Sequence, residues 1–253
     1  MSEPLVARIE DEGWDTPRKI LVILAHPDDP DFFCGASIAR WCQMGHQVSY
    51  FLLTKGQRGF PNKETTLEEV VFIRGTEQLD AVDVLGVWKV EFSRFMDGEL
   101  VADLEVRNEI IRKIRIEIPD IVVTSDPLTL FPAENRINHP DHRAAGQAVV
   151  DAIFPAAGNL RYLVKDSDGT PLEPHQVKEL WITLTTSPTV ALPVSEYLEK
   201  KLDAIACHKS QIPWTRAELT QRFQERLERN PDGCPRVPGK IPTYRFPMKL
   251  IPR

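Results

Sequence analysis

The sequence predicts a Rossmann-like α/β fold: a doubly wound, mostly parallel sheet with helices on both faces. Three observations carry this. Short apolar runs rich in β-branched residues read as strands buried on both faces. Longer amphipathic stretches between them end at Gly or Pro, as helices do. The two kinds of segment alternate from about residue 19 to residue 208, the pattern of parallel strands joined by crossover helices.

The first strand is KILVILA, residues 19–25, after a polar, poorly specified lead-in at 1–18. A loop at 26–31 leads to a helix at 33–44, stopped by Gly45. QVSYFLLT, residues 47–54, is the second strand, and 55–63 is a loop with Gly56, Gly59 and Pro61. A long amphipathic helix at 66–85 ends at Gly86. Residues 87–92 form a third strand, 100–118 a helix ended by Pro119, and IVVTS at 121–125 a fourth strand. A polar, proline-containing loop at 126–138 precedes a helix at 142–153. A strand at 177–185 and a helix at 194–208 complete the alternation. The tail, 230–253, carries Pro231, Pro235, Pro238, Pro242, Pro247 and Pro252, and reads as extended chain on the surface rather than helix or central strand. No repeat or low-complexity linker divides the chain, so 1–253 is expected to be a single domain.

With 253 residues, 42% hydrophobic and 27% charged, the chain can bury a sizeable core, so a metal site in it points to chemistry rather than to stability. A net charge of −6 with dispersed basic residues makes nucleic acid a poor partner. The densest basic run, Arg112-Lys113-Ile114-Arg115, reads as a solvated helix face. Cys34, Cys42, Cys207 and Cys234 make no Cys-x-x-Cys pair, and a reduced, cytoplasmic setting is the expectation. The N-terminal residues lack the apolar core of a signal peptide, and no apolar run is long enough for a membrane span.

In doubly wound sheets ligands bind beyond the carboxyl ends of the strands, here the loops 26–31, 55–63, 93–98 and 126–142. Two of them hold the chemistry. Ala25-His26-Pro27-Asp28-Asp29 crowds ionisable groups at the mouth of a buried strand, an arrangement a divalent cation would relieve. Asn138-His139-Pro140-Asp141-His142-Arg143-Ala144 follows the fourth strand and opens a helix. Together they offer two imidazoles and a carboxylate for one metal, with a position left open for water. Either cluster alone can also be a capped turn, with the Asp accepting from helix N–H groups. His46, His175 and His208 read as structural or surface residues.

At these residues the chain resembles the LmbE-like, or PIG-L, family of zinc-dependent N-acetylglucosaminyl deacetylases. The resemblance covers roughly residues 19–211. The family's Ala-His-Pro-Asp-Asp-Glu appears as Ala25 to Asp29, and its His-Pro-Asp-His intact as His139 to His142. Arg74-x-x-Glu77-x-x-x-Ala81-x-x-x-Leu85-Gly86, Asp97-Gly98 and Lys201-x-x-Ala204-x-x-x-His208-x-Ser210-Gln211 match in order between and after them. The resemblance implies a metal, Zn2+ first and Fe(II), Mn(II) or Co(II) as alternatives, held by His26, Asp29 and His142. It implies Asp28 as general base toward the attacking water and His139 as oxyanion stabiliser or proton donor. Asp141 would support an imidazole from behind, and Arg74 and Asp97 would contact substrate; the alternative for Arg74 is a helix ion pair with Glu77 or Glu69.

Two positions depart from the pattern. Pro30 stands where the family has Glu, so Asp31 is expected to take over its supporting role. Ile137 stands where some sugar-thiol deacetylases have Tyr. The reaction implied is removal of an N-acetyl group from a small amino sugar or its conjugate. An amidase acting on a thiol conjugate and a non-catalytic, metal-dependent sugar-binding module are the alternatives. A dinucleotide oxidoreductase is disfavoured, because no Gly-x-Gly-x-x-Gly follows the first strand. In loop 126–138, Leu128, Leu130 and Phe131 either pack on the body, wall a pocket, or meet a neighbouring subunit of a homo-oligomer. Glu134 and Arg136 are its candidates for substrate contact.

Overall fold

The computed structural model describes residues 7–8, 10–60, 62–133, 135–229 and 245–252. In chain order the elements are β1 (Ala7–Arg8), β2 (Lys19–Leu24), α1 (Asp29–Gln43), β3 (Gln47–Thr54), α2 (Leu67–Leu85), β4 (Lys89–Phe95), α3 (Leu104–Glu117), β5 (Ile121–Ser125), α4 (Pro140–Asp151), β6 (Glu179–Thr183), β7 (Val190–Pro193), α5 (Leu198–Cys207), α6 (Arg216–Arg229) and β8 (Arg245–Pro252). They build one sheet in the order β1-β7-β8-β6-β5-β2-β3-β4. The run β6-β5-β2-β3-β4 is parallel throughout, and β8 is antiparallel to both its neighbours. Strand order reverses direction between β2 and β5. Such a switch point opens a crevice at the carboxyl ends of the two strands.

Strand residues alternate between two apolar layers, as a sheet covered on both faces requires. Val22 and Leu24 join Ile38, Trp41, Leu85 and Trp181 on one side; Leu21 and Ile23 join Ile110, Ile114, Val149 and Ile153 on the other. The long helix α2 shows why local sequence sufficed. Thr66 caps it, accepting from the Glu69 N–H while the Glu69 carboxylate accepts from the Thr66 N–H, and Gly86 ends it at φ 79, where a side chain would be strained.

Several elements differ from the reading of the sequence. α1 begins at Asp29, because Pro30 sits in the first helical turn, where its missing N–H is harmless; the chain leaves helical geometry once, at Cys34 (φ −146). α4 likewise begins at Pro140, and the third strand and its following helix are shifted to Lys89–Phe95 and Leu104–Glu117. The strand expected at 177–185 shortens to Glu179–Thr183. The helix expected at 194–208 splits into a 3-10 turn at Ser195–Tyr197 and α5.

The tail is the largest correction. Residues 245–252 form a strand inside the sheet, whereas 230–244 and 253 lie outside the described residues. Arg245 to Met248 pair with β7 and Lys249 to Pro252 pair with β6. No residue of β8 pairs on both edges, so its prolines each cost at most one edge's hydrogen bond.

The lead-in is fastened over residues 12–18. Glu12 accepts from the Trp41 indole at 2.8 Å and from Arg40 Nε at 3.1 Å, and the Trp14 ring packs against Trp41, Trp181 and His46. Nor is the basic run of α3 a solvated face. Arg115 is buried and donates to the carbonyls of Ala156, Ala157, Asn159, Tyr162 and Leu172, clasping the segment that follows α4. Among the described helices none is long and apolar enough to cross a membrane.

Candidate metal and catalytic centre

The first motif turns off the end of β2. Asp28 occupies the position before α1 at φ 83, a left-handed conformation that Asp tolerates better than most side chains. Its N–H donates to Gln78 Oε1 at 2.8 Å, and its carboxylate accepts from Arg74 Nη2 at 3.0 Å. Asp29 folds back, its Oδ2 accepting the His26 N–H at 2.8 Å. His26 and Asp29 are buried; Asp28 is partly open.

The second motif follows β5, the neighbour of β2. Gly146 lets α4 approach the end of that strand, because a Cβ there would lie 2.2 Å from the Ser125 carbonyl oxygen. His139 caps α4, its Nδ1 accepting the Asp141 N–H at 3.2 Å. That bond places the proton of a neutral His139 on Nε2. Asp141 is fully buried and accepts from Gly98 N at 2.7 Å and Leu100 N at 3.3 Å. His142 returns toward the first motif, its Nε2 3.1 Å from Asp29 Oδ1, while its Nδ1 lies 3.0 Å from Asn138 Oδ1.

The two nitrogens of His26 face different partners. Nδ1 is 3.3 Å from Asp29 Oδ2; Nε2 is 3.1 Å from Asp97 Oδ1 and 3.2 Å from Asp141 Oδ2. Thus Asp29 lies between one nitrogen of His26 and one of His142, and each ring's remote nitrogen is held by an oxygen. Imidazoles that ligate a metal are commonly steadied in this way. Two imidazoles flanking one carboxylate are donors of the kind a divalent transition metal takes. Among the described residues, the groups whose ligand atoms all fall within 4.8 Å of one another are His26, His139 and His142, and His26, Asp97 and Asp141; Asp29 is in neither. The His139 ring centroid is 4.8 Å from that of His26 and 5.3 Å from that of His142.

The electrostatics match this crowding. Burial pushes the His26 imidazole down, yet Asp29, Asp141 and Asp97 outweigh it and hold it well above its ordinary range. Burial likewise opposes ionisation of Asp29, but His142 and His26 keep its carboxyl far below the usual range. Burial pushes Asp28 up to about 6, against the pull of the Arg74 guanidinium and with Asp29 adding to the rise. Burial and the neighbouring His26 push His139 down.

Of the residues singled out from sequence, His26, Asp28, Asp29, Asp97, His139, Asp141 and His142 gather at the switch point. Arg74 and Asp31 lie behind it. Arg74 pairs with Asp28, neither with Glu69, which belongs to the α2 cap, nor with Glu77, which accepts from Ser210 N and Oγ. Asp31 is completely buried between His208 and Gln78. Arg136 is exposed on the loop, its N–H donating to Ala133 O at 3.1 Å, and Glu134 lies outside the described residues. Leu128, Leu130 and Phe131 are exposed, so they do not pack onto the body. Gln78 and Asn138 hold motif residues that the sequence reading left without partners. Gln78 sits four residues after Arg74 on the same helix face, a spacing that could have singled it out.

Comparison with known proteins agrees with the site. The family model "PIG-L: GlcNAc-PI de-N-acetylase" matches residues 21–153. The chain is 34% identical over 213 residues to the diacetylchitobiose deacetylase of Thermococcus kodakarensis, covering 84% of this chain and 77% of that protein. It is 26% identical to the probable N-acetyl-alpha-D-glucosaminyl L-malate deacetylase 2 of Bacillus anthracis, covering 90% and 96%. The solved N,N'-diacetylchitobiose deacetylase of Pyrococcus horikoshii superposes with a TM-score of 0.79 at 26% identity, covering 93% of this chain and 84% of that one. By motif, fold and similarity along most of its length, the chain belongs to the PIG-L (GlcNAc-PI de-N-acetylase) family.

Proposed function

We propose that this protein is a metal-dependent N-deacetylase of a small acetylated amino sugar or its conjugate. The observation that carries the reading is the placement of Asp28. A partly open carboxylate stands directly beside the Asp29 that joins His26 and His142, and pure binding needs no such base. The three relatives named above are each called a deacetylase of an N-acetylated sugar or its conjugate, which supports the substrate class.

In this reading His26, Asp29 and His142 would hold the metal, zinc in the first instance. A divalent cation there would supply Lewis acidity, lowering the pKa of a water and polarising the amide carbonyl. Asp28 accepts a proton from the attacking water as its oxygen adds to the acetyl carbonyl carbon. His139 offers Nε2–H to the oxygen on which negative charge develops. As the C–N bond breaks, the proton held by Asp28 passes to the departing nitrogen. The products are acetate and a free amine. Asp97 and Asp141 keep the far side of His26 fixed throughout.

The test is acetate release from a panel of N-acetylated sugars, including N,N'-diacetylchitobiose, with and without chelator. The reading expects acetate and free amine in equal amounts, loss of both on chelation, and recovery on adding a divalent metal. Acetate release that survives complete metal removal would refute it.

A further inference from the structure

Two segments meet beside His26, the loop after β3 and the turn after β4. Gln57 knits them together: its Oε1 accepts the Asp97 N–H at 3.2 Å and its Nε2 donates to Phe95 O at 3.3 Å. The Arg58 N–H donates to Asp97 Oδ2 at 3.1 Å, and Asp97 Oδ1 lies 3.1 Å from His26 Nε2. On either side of Glu99, the N–H groups of Gly98 and Leu100 donate to Asp141 at 2.7 and 3.3 Å. The backbones of Arg58 and Glu99 are thus fastened to the two carboxylates that hold the far side of His26. Their side chains leave this anchored base for solvent, 53% and 57% exposed, and pair through Arg58 Nη2 and Glu99 Oε1. We propose that this pair is a charge-selecting lip of the substrate cleft: Glu99 occupies the Arg58 guanidinium, so neutral, hydroxylated amino sugars are accepted and phosphorylated or carboxylated ones are disfavoured. The inference deepens the deacetylase reading and rests on it.

Three observations support it. The first is place. Both residues belong to loops at the carboxyl ends of parallel strands, where doubly wound sheets take their ligands. The Arg58 side chain lies across the turn after β4, since a Cβ on Gly98 would fall 3.4 Å from Nη1 and 3.7 Å from Cδ. The second is how readily the pair opens. Ion pairs between exposed side chains contribute little to stability, so these two heads can exchange each other for sugar hydroxyls, Glu99 accepting and Arg58 donating. The third is the chemistry of that exchange. A guanidinium takes a carboxylate or phosphate in two parallel hydrogen bonds, and here the position is already filled by Glu99. An anionic substituent must displace Glu99, and the displaced carboxylate then stands next to Asp97 and Asp141 with no cation to offset it. A neutral sugar meets no such opposition.

The experiment compares wild type, Glu99→Gln, the double variant Arg58→Gln/Glu99→Gln, and Glu105→Gln, each loaded with zinc. Glu105 pairs with Arg94 on the surface beside α3, so its neutralisation changes the net charge equally without touching the lip. Two ratios are read: kcat/KM on N-acetylglucosamine 6-phosphate against N-acetylglucosamine, and Kd for glucosamine 6-phosphate against glucosamine by calorimetry. Wild type should favour the neutral sugar in both. Glu99→Gln should move both ratios toward the phosphorylated sugar by about fivefold, mainly through KM, and the shift should shrink at high salt. The double variant should lose the shift, because the guanidinium that receives the phosphate is gone. Glu105→Gln should keep the wild-type ratios. Unchanged ratios in Glu99→Gln, an equal shift in Glu105→Gln, or a shift that persists in the double variant would each overturn the proposal. So would a wild type that prefers the phosphorylated sugar. Since binding does not depend on turnover, a wild type that binds these sugars with the expected ratios but releases no acetate would sink the deacetylase reading separately from the lip.

Discussion

The tripeptide His-Pro-Asp occurs twice at this centre, and the two copies are wired in opposite senses. In residues 26–28 the His is buried against Asp29, Asp97 and Asp141, and the Asp is the partly open member. In residues 139–141 the His is exposed at the helix cap and the Asp is fully buried, accepting from the backbone of residues 98 and 100. What differs is where the helix begins. α1 starts after the first tripeptide, so Asp28 becomes the residue before the helix; α4 starts within the second, so His139 does. A motif's letters name the available groups, and the helix boundary decides which of them faces the cleft.

The comparison can be broken by mutation, starting with the largest effect. If the buried His belongs to the metal and the exposed His to the substrate, His26→Ala should lose metal and activity together. His139→Ala should keep the metal and lose turnover only. Elemental analysis beside steady-state kinetics separates the two, and the reverse pattern would interchange the roles.

Next in size is the base. Asp28→Asn should retain metal and lose about 10²–10⁴-fold in kcat. In wild type the Asp28 carboxyl, raised to about 6 by burial, must be ionised to take a proton. Activity should therefore fall as the pH drops through the carboxyl's pKa, which a bound cation would pull down against burial, and this limb of the kcat/KM profile should vanish in the variant. An empty site in Asp28→Asn would mean that the two adjacent aspartates have been assigned in the wrong order.

The buried Asp of the second copy sharpens the contrast. Asp141→Ala removes one of the oxygens behind His26, and loss of such a supporting group typically weakens metal affinity about 10–100-fold. A competition titration with a chelating dye measures this, and unchanged affinity would leave Asp97 alone as the support.

The smallest effect belongs to the rim. Arg136 is exposed on a loop that also exposes Leu128, Leu130 and Phe131. Arg136→Ala should alter the ranking of acetylated substrates a few-fold while metal content stays intact. An unchanged ranking would move specificity to the loops 55–63 or 93–98.

The sequence disclosed the parallel core more fully than its flanks. β3 and β5 match the predicted strands residue for residue, because each is an apolar run whose every position but one at most is buried. The antiparallel β7 and β8 escaped because both contain proline, and their pairing partners are supplied by the fold rather than by local pattern. α6 escaped because most of its residues are polar, yet two signals were available: Leu219, Phe223 and Leu227 recur at helical spacing, and Thr215-x-x-Glu218 forms a reciprocal cap. At the site the ionisable residues were legible since dense charge at a strand end is costly without use. Their partners were not: Gln78 lies 50 residues from Asp28, and Gly98 lies 43 from Asp141, so only packing of distant elements brings them together.

The central claim is one metal held between the two copies by His26, Asp29 and His142. Its most direct test is calorimetric titration of metal-free wild type and His142→Ala with zinc, with bound metal then counted by elemental analysis. The account predicts one tightly bound ion per chain in wild type and none in His142→Ala. Stoichiometric binding that persists in His142→Ala, or no binding by wild type, would contradict it.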